Sequence, residues 1–212
     1  LRDLVKLYPL ARESVQGHLY IAAVQAEHEQ YADAVATLDE ALARPSLTYA
    51  DRVEANARKG YDLYELRRDG DAEVALNAAV ADWKQAPPID DVYYIAMAHY
   101  YLGELAHRQF TDMPVRLPDD QELADLDHKR VLADRAYGHW KESLGFRQAY
   151  WATASGYQMS QIFVELWQAT VKAPYPARVA AEARPTYITE VHERSRAHFA
   201  VLDEQRGANL AK

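Results

Sequence analysis

Cysteine is absent from this 212-residue chain. That excludes disulfides, thiolate zinc sites and cysteine nucleophiles, and it fits an exported bacterial protein. Glycine is scarce, with eight residues against nine prolines. Sheet proteins use glycine for turns with positive φ, so the shortage argues against a β fold. No window approaches the roughly 18 unbroken apolar residues of a membrane span. A basic excess is missing too, because the net charge is −8. Nucleic-acid binding needs a basic face to neutralise phosphates, and no Lys/Arg run here supplies one. A mixed or basic partner is electrostatically easier. GxSxG, a Walker loop and GxGxxG do not occur, which removes their nucleophile and phosphate-binding chemistries.

What remains is rich in good helix formers, Ala, Leu, Glu, Arg and Gln. With 49% hydrophobic and 26% charged residues the composition is that of a folded domain. An all-α fold is predicted over residues 1–212, as one domain long enough to bury a substantial core. The chain starts at Leu1 with no Met and no signal-like apolar stretch, and reads as a piece of something longer. DLVKLYP has the look of the tail of a second helix.

Prolines set a rhythm. Helix-like runs end in DLVKLYP at Pro9, TLDEALARP at Pro45 and VADWKQAP at Pro87, spaced 36 and 42 residues apart. Proline cannot continue a helix, so each is a stop followed by a new start. The separations suit a helix-turn-helix repeat. Each unit has a second break near its middle, at residues 27–31 and 67–71, where Gly70 is the expected C-cap of one helix and Asp71 the N-cap of the next.

In AAVQAEHEQYADAVATLDEALARP, the residues Ala22, Tyr31, Ala34, Leu38, Ala41 and Pro45 resemble the tetratricopeptide repeat (TPR). The next unit resembles it at Gly70, Asp71, Ala75, Ala79 and Pro87, and a third opens with Tyr101, Leu102 and Gly103. The resemblance implies an α-solenoid of about four helical hairpins, more regular over 1–110. Beyond Gly103 the pattern departs from the family. Thirty residues separate it from Ala133, the expected start of the partner helix's small-residue motif. Pro114 and Pro118 bracket a loop, and Asp119 and Glu122 have capping-box spacing for a long helix to about Ser143. Leu144-Gly145 closes it, and a last unit runs from about Arg147 to Lys172. Pro185 is placed to open a helix to about Arg206. Residues 94–205 also resemble the C-terminal part of bacterial cell-envelope TPR proteins, some associated with gliding-motility machinery. That implies a scaffold in the periplasm or envelope, with the cytoplasm as the alternative, and no catalytic residue.

The apolar stretch YWATASGYQMSQIFVELW (150–167) reads as one helix. Ala152, Ser155, Met159, Ile162, Leu166 and Ala169 form its buried row. Tyr150, Ala154, Tyr157, Gln161 and Val164 form a half-apolar row, and Trp151, Gln158, Glu165 and Lys172 the wet one. The chain has 15 tyrosines against 4 Phe and 4 Trp. Tyrosine suits sites with one end buried and one end wet. If the first helix of each hairpin lines a concave face, that face carries Tyr64 and Arg67, then Tyr100, Glu104, His107 and Arg108, then Tyr150, Tyr157 and Gln161. This is the composition of a protein-binding surface, and the expected partner is a protein or peptide. The alternative is a structural segment packing on further repeats or on copies of itself, and an enzyme on an α/α scaffold is the remaining reading. Trp140 and Trp167 are expected to pack between helices.

No cofactor or metal is expected. His28-Glu29 and His192-Glu193 begin like HExxH, but Ala32 and Arg196 occupy the second histidine's place. His99 and His107 lie two helical turns apart, and His128 and His139 eleven residues apart, too far to share an ion unaided. The acidic LPDDQELADLDHKR lacks EF-hand spacing and glycine, and reads as charge complementing a helix start.

Overall fold

The computed structural model describes residues 2–8, 11–116, 119–172, 175, 179–187, 189, 190 and 193. Of the described residues 81% are helical and none is in a strand. The all-α expectation is met. In chain order the helices are α1 (Arg2–Leu7), α2 (Arg12–Glu27), α3 (Tyr31–Leu42), α4 (Tyr49–Glu65), α5 (Asp69–Gln85), α6 (Tyr93–Asp112), α7 (Asp119–Gly145) and α8 (Ala149–Val171). A single 3-10 turn follows at Ala181–Ala183. Pro45 and Pro87 fall just beyond α3 and α5 as their chemistry requires. Pro9 and the stretch beyond 193 lie outside the described residues, so the expected helix from Pro185 is seen only over 184–187 and at 189, 190 and 193.

The breaks inside the hairpins are three-residue turns built alike. At the end of α2 the Gln30 amide donates to the Gln25 carbonyl and the Glu29 amide to Ala26. At the end of α4, Arg68 donates to Leu63 and Arg67 to Tyr64. This pair of bonds satisfies carbonyls that a helix end leaves open, and it requires a left-handed residue between. Glu29 and Arg67 take that conformation, with φ of 59° each, and Arg147 does the same between α7 and α8 at 56°. No described glycine has positive φ. The sequence reading of Gly70 as a C-cap is therefore wrong by three residues: Gly70 and Asp71 both lie in the first turn of α5, and Arg67 turns the chain.

The second helices share a buried triplet. Ala34, Leu38 and Ala41 on α3, Ala72, Leu76 and Ala79 on α5, and Ala136, Trp140 and Ser143 on α7 are all fully buried. Small residues at first and third place let the partner helix approach, and the large one fills the gap it leaves. Where α4 crosses α5, Leu76 lies over Gly60, and where α6 crosses α7, Trp140 lies over Gly103. The third triplet starts at Ala136, one turn beyond the expected Ala133.

The chain divides into two compact units, Leu1–His107 with Arg135–Met159, and Arg108–Asp134 with Ser160–Lys212. In the first, consecutive helices pack on one another from α1 to α5. Thr48 and Asp51 form a reciprocal capping box at the start of α4. The other oxygen of Asp51 accepts from Gln16 of α2 at 2.8 Å, tying two hairpins together. Ile95, Ala98, Leu102 and Leu105 of α6 join the α4–α5 core. Ser143 of α7 donates to the Ala96 carbonyl of α6 at 2.8 Å, so the hydroxyl in the third triplet is satisfied.

In the second unit the loop after α6 is fastened by charge. Arg116 reaches both oxygens of Asp125 at 2.9 and 3.0 Å, and its amide donates to the same carboxylate. These bonds hold the Asp125 carboxyl below the ordinary carboxylate range. Lys129 Nζ donates to the Phe110 carbonyl and lies 4.5 Å from the centre of its ring. Tyr187 Oη donates to the buried Glu122 carboxylate at 3.2 Å. The acidic stretch thus builds internal contacts at Glu122 and Asp125. The side chain of Asp119, the other half of the expected capping box, lies outside the described residues.

Candidate interaction surface

Helices α4, α6 and α8 bring aromatic side chains into one continuous cluster within the first unit. Tyr31 of α3 meets Tyr61 edge-on at 6.0 Å between ring centres. Tyr61 and Tyr64 of α4 meet Tyr101 of α6 at 5.0 and 5.3 Å. Trp151 of α8 lies 5.9 Å from Tyr101, 5.2 Å from Tyr100 and 5.5 Å from Tyr93. Tyr150 packs edge-on to Trp151 at 4.7 Å. On α6 this follows from spacing: Tyr93, Met97, Tyr100 or Tyr101 and Glu104 recur every three or four residues and share a face. Tilted and edge-on ring pairs like these add about 0.5–1.5 kcal/mol each beyond area burial.

Polar groups are fitted among the rings. Gln158 donates to Glu104 at 2.9 Å, joining α8 to α6. Burial raises the Glu104 carboxyl, while His107, Tyr100, Gln158 and Trp140 favour its charged form. Burial and the Glu104 charge push the Tyr100 phenol up to about 12, so it remains a neutral donor at ordinary pH. Arg58 of α4 donates to Glu54 at 2.9 Å and to the Tyr94 hydroxyl at 2.6 Å. One helical turn on, Asp62 is only 1% exposed and its Oδ1 has no hydrogen-bond partner. Burial, with Glu65 adding and Arg58 opposing, pushes its carboxyl up to about 7.

Of the residues expected on the surface, Tyr64, Tyr100, Glu104 and Tyr150 belong to this cluster. His107 is half-buried, its ring 5.6 Å from Trp140 on the α7 side. Arg67 is the exposed turn residue after α4. Tyr157 is 64% exposed and Tyr150 63%. Arg108 and Gln161 are half-buried and belong to the second unit.

The rows of α8 need correcting. Ser155, Ile162 and Leu166 are buried as expected, but Trp151 is 4% exposed and belongs inside. The wet strip runs instead through Tyr150, Tyr157 and Val164. Trp140 is fully buried, whereas Trp167 is 38% exposed and is not a fully interhelical residue. Sequence reasoning also missed Tyr61, Tyr93, Tyr94 and Tyr101, and the counts of aromatics along α4 and α6 were the only signal for them. Gly156 is exposed with open space around it, unlike Gly103, which Trp140 covers.

The fold pairs His99 with His139 of α7, not with His107: their rings lie 5.8 Å apart. Burial, with His139 and Lys84 adding to it, pushes His99 down to about 4, and burial lowers His139 as well. Both are neutral at ordinary pH. Among the described residues, no group of three His, Asp or Glu could hold a metal ion, and no helix is long and apolar enough to cross a membrane.

The chain matches no protein-family model, no curated protein and no solved structure.

Proposed function

We propose that this chain is a non-enzymatic interaction module of TPR-like hairpins that takes a protein or peptide on the face formed by α4, α6 and the start of α8. The observation that carries this reading is the exposure of Tyr150 and Tyr157 beside a packed tyrosine cluster with Glu104 set in it. Large, fairly rigid side chains exposed on a well-anchored base are what binding hot spots are made of. Missing cysteine and the likeness of residues 94–205 to envelope TPR proteins support a place in the periplasm or cell envelope, including motility machinery, over the cytoplasm. A second reading, a segment that packs on further repeats, draws support from α1, whose Val5 closes on Gly17 of α2 as one repeat closes on the next.

The test is capture from an envelope extract, identification of the captured protein, and affinity measurements with the purified pair. Tyr150→Ala and Tyr157→Ala should each weaken binding roughly tenfold or more with melting unchanged. Variants that bind like the parent would overturn the assignment of the face. Light scattering that shows self-association through the α1 end would favour the second reading.

A further inference from the structure

We infer that this face recognises a cationic peptide segment, seating Lys or Arg side chains against tyrosine rings beside Glu65 and Glu104. The inference rests on the proposed docking face and specifies its partner. Aromatic rings carry negative charge on their faces, and a cation within about 6 Å of a ring centre is attracted to it. At Tyr61, Tyr100 and Tyr101 the charges that meet the cluster are carboxylates, whereas at Tyr93 and Tyr94 the Arg58 guanidinium outweighs them. Glu65 acts on both Tyr61 and Tyr101, Asp91 on Tyr93, Glu54 on Tyr94 and Glu104 on Tyr100. The guanidinium among them, Arg58, is already committed to Glu54 and Tyr94. An anionic segment would be repelled by these carboxylates, which outnumber the exposed Arg67 beside Glu65. A cationic one would find rings and carboxylates together, and the net charge of −8 would speed its approach.

Exposure agrees with this order of events. Glu65 is exposed at the last turn of α4, next to the exposed Arg67 turn, and Tyr150 and Tyr157 stand out from α8. Glu104 sits deeper, held by Gln158. A guanidinium or ammonium would be drawn first by Glu65 and then slide its apolar stem along the rings, as long cationic side chains do.

The experiment uses an alternating glycine–arginine octapeptide and its citrulline counterpart, which keeps the shape and removes the charge. Calorimetry and amide chemical shifts would follow both. The arginine peptide should bind at least fivefold tighter than the citrulline one, and that preference should collapse in Glu65→Gln and in Tyr157→Ala. As controls, Glu13→Gln and Glu27→Gln remove exposed charge from α2 and should alter binding less than twofold. Equal binding of the two peptides, no binding of either, or equal loss in the α2 controls would overturn the inference. The docking face itself would still stand if a captured partner lost affinity in Tyr150→Ala.

Discussion

Two glycines separate packing from propensity at the level of single residues. A Cβ on Gly103 would overlap the Trp140 indole, a rigid neighbour that is itself fully buried. Gly103→Leu should therefore lower stability by roughly 1–3 kcal/mol or more, and Trp140→Ala by about 3–5 kcal/mol. Gly156→Ala meets nothing within 4 Å and should be neutral or raise stability by up to about 1 kcal/mol, since alanine is the better helix former. Thermal melts of the three variants check all of this, and a harmless Gly103→Leu would refute the crossing described. Asp62 makes a prediction with a pH axis. Its folded-state carboxyl lies at about 7, above the unfolded value of 3.8. Between about pH 4 and 7 the native state holds a proton that the unfolded chain has lost, so this group's contribution falls as pH rises. Asp62→Asn should melt like the parent near pH 4 and be more stable at pH 8, on the order of 2 kcal/mol. His99 slopes the other way, since its folded value of about 4 lies below 6.5, but it is common to both proteins and cancels in the comparison.

At the level of the element, much was legible and the misses have a physical pattern. Proline stops placed the ends of α3 and α5, because the missing N–H and the ring clash act locally whatever the surroundings. The turns were harder. Glycine is the usual residue for a left-handed cap, which drew the reading to Gly70, while the chain uses Glu29, Arg67 and Arg147. A non-glycine residue there is strained by roughly 1–2 kcal/mol, so Arg67→Gly should raise the melting temperature, and a lowered one would mean that the Arg67 side chain supports the turn. The wet and dry rows of α8 were misassigned because an indole carries both an apolar body and one N–H. Only the neighbours Tyr93, Tyr100 and Tyr101 decide that Trp151 faces inward. Which tyrosines meet depends on contacts between helices distant in sequence, and no local pattern encodes them.

For the molecule as a whole, composition was enough to give the fold class: helix formers fill every segment and turn glycines are few. The candidate surface was half legible, since helical spacing nominated Tyr64, Tyr100, Glu104, Tyr150 and Tyr157, while the rings beneath them stayed hidden. Histidine pairing was not legible at all. Because His99 and His139 are neutral and bring no third ligand from the described residues, added zinc should leave the melting temperature unchanged. A reproducible rise would reveal a site that binds only the folded protein. The first two hairpins have one further property. Glu29 and Arg67 are 38 residues apart, as are Ala34 and Ala72, Leu38 and Leu76, and Ala41 and Ala79. Residues 31–68 are thus a cassette whose two ends are chemically the same joint. Copying it in place would lengthen the protein by a whole hairpin, and where the copied α3 met α4 it would set Ala34, Leu38 and Ala41 in the places of Ala72, Leu76 and Ala79, so the chain can grow by duplication with the same small–large–small triplet at the new seam.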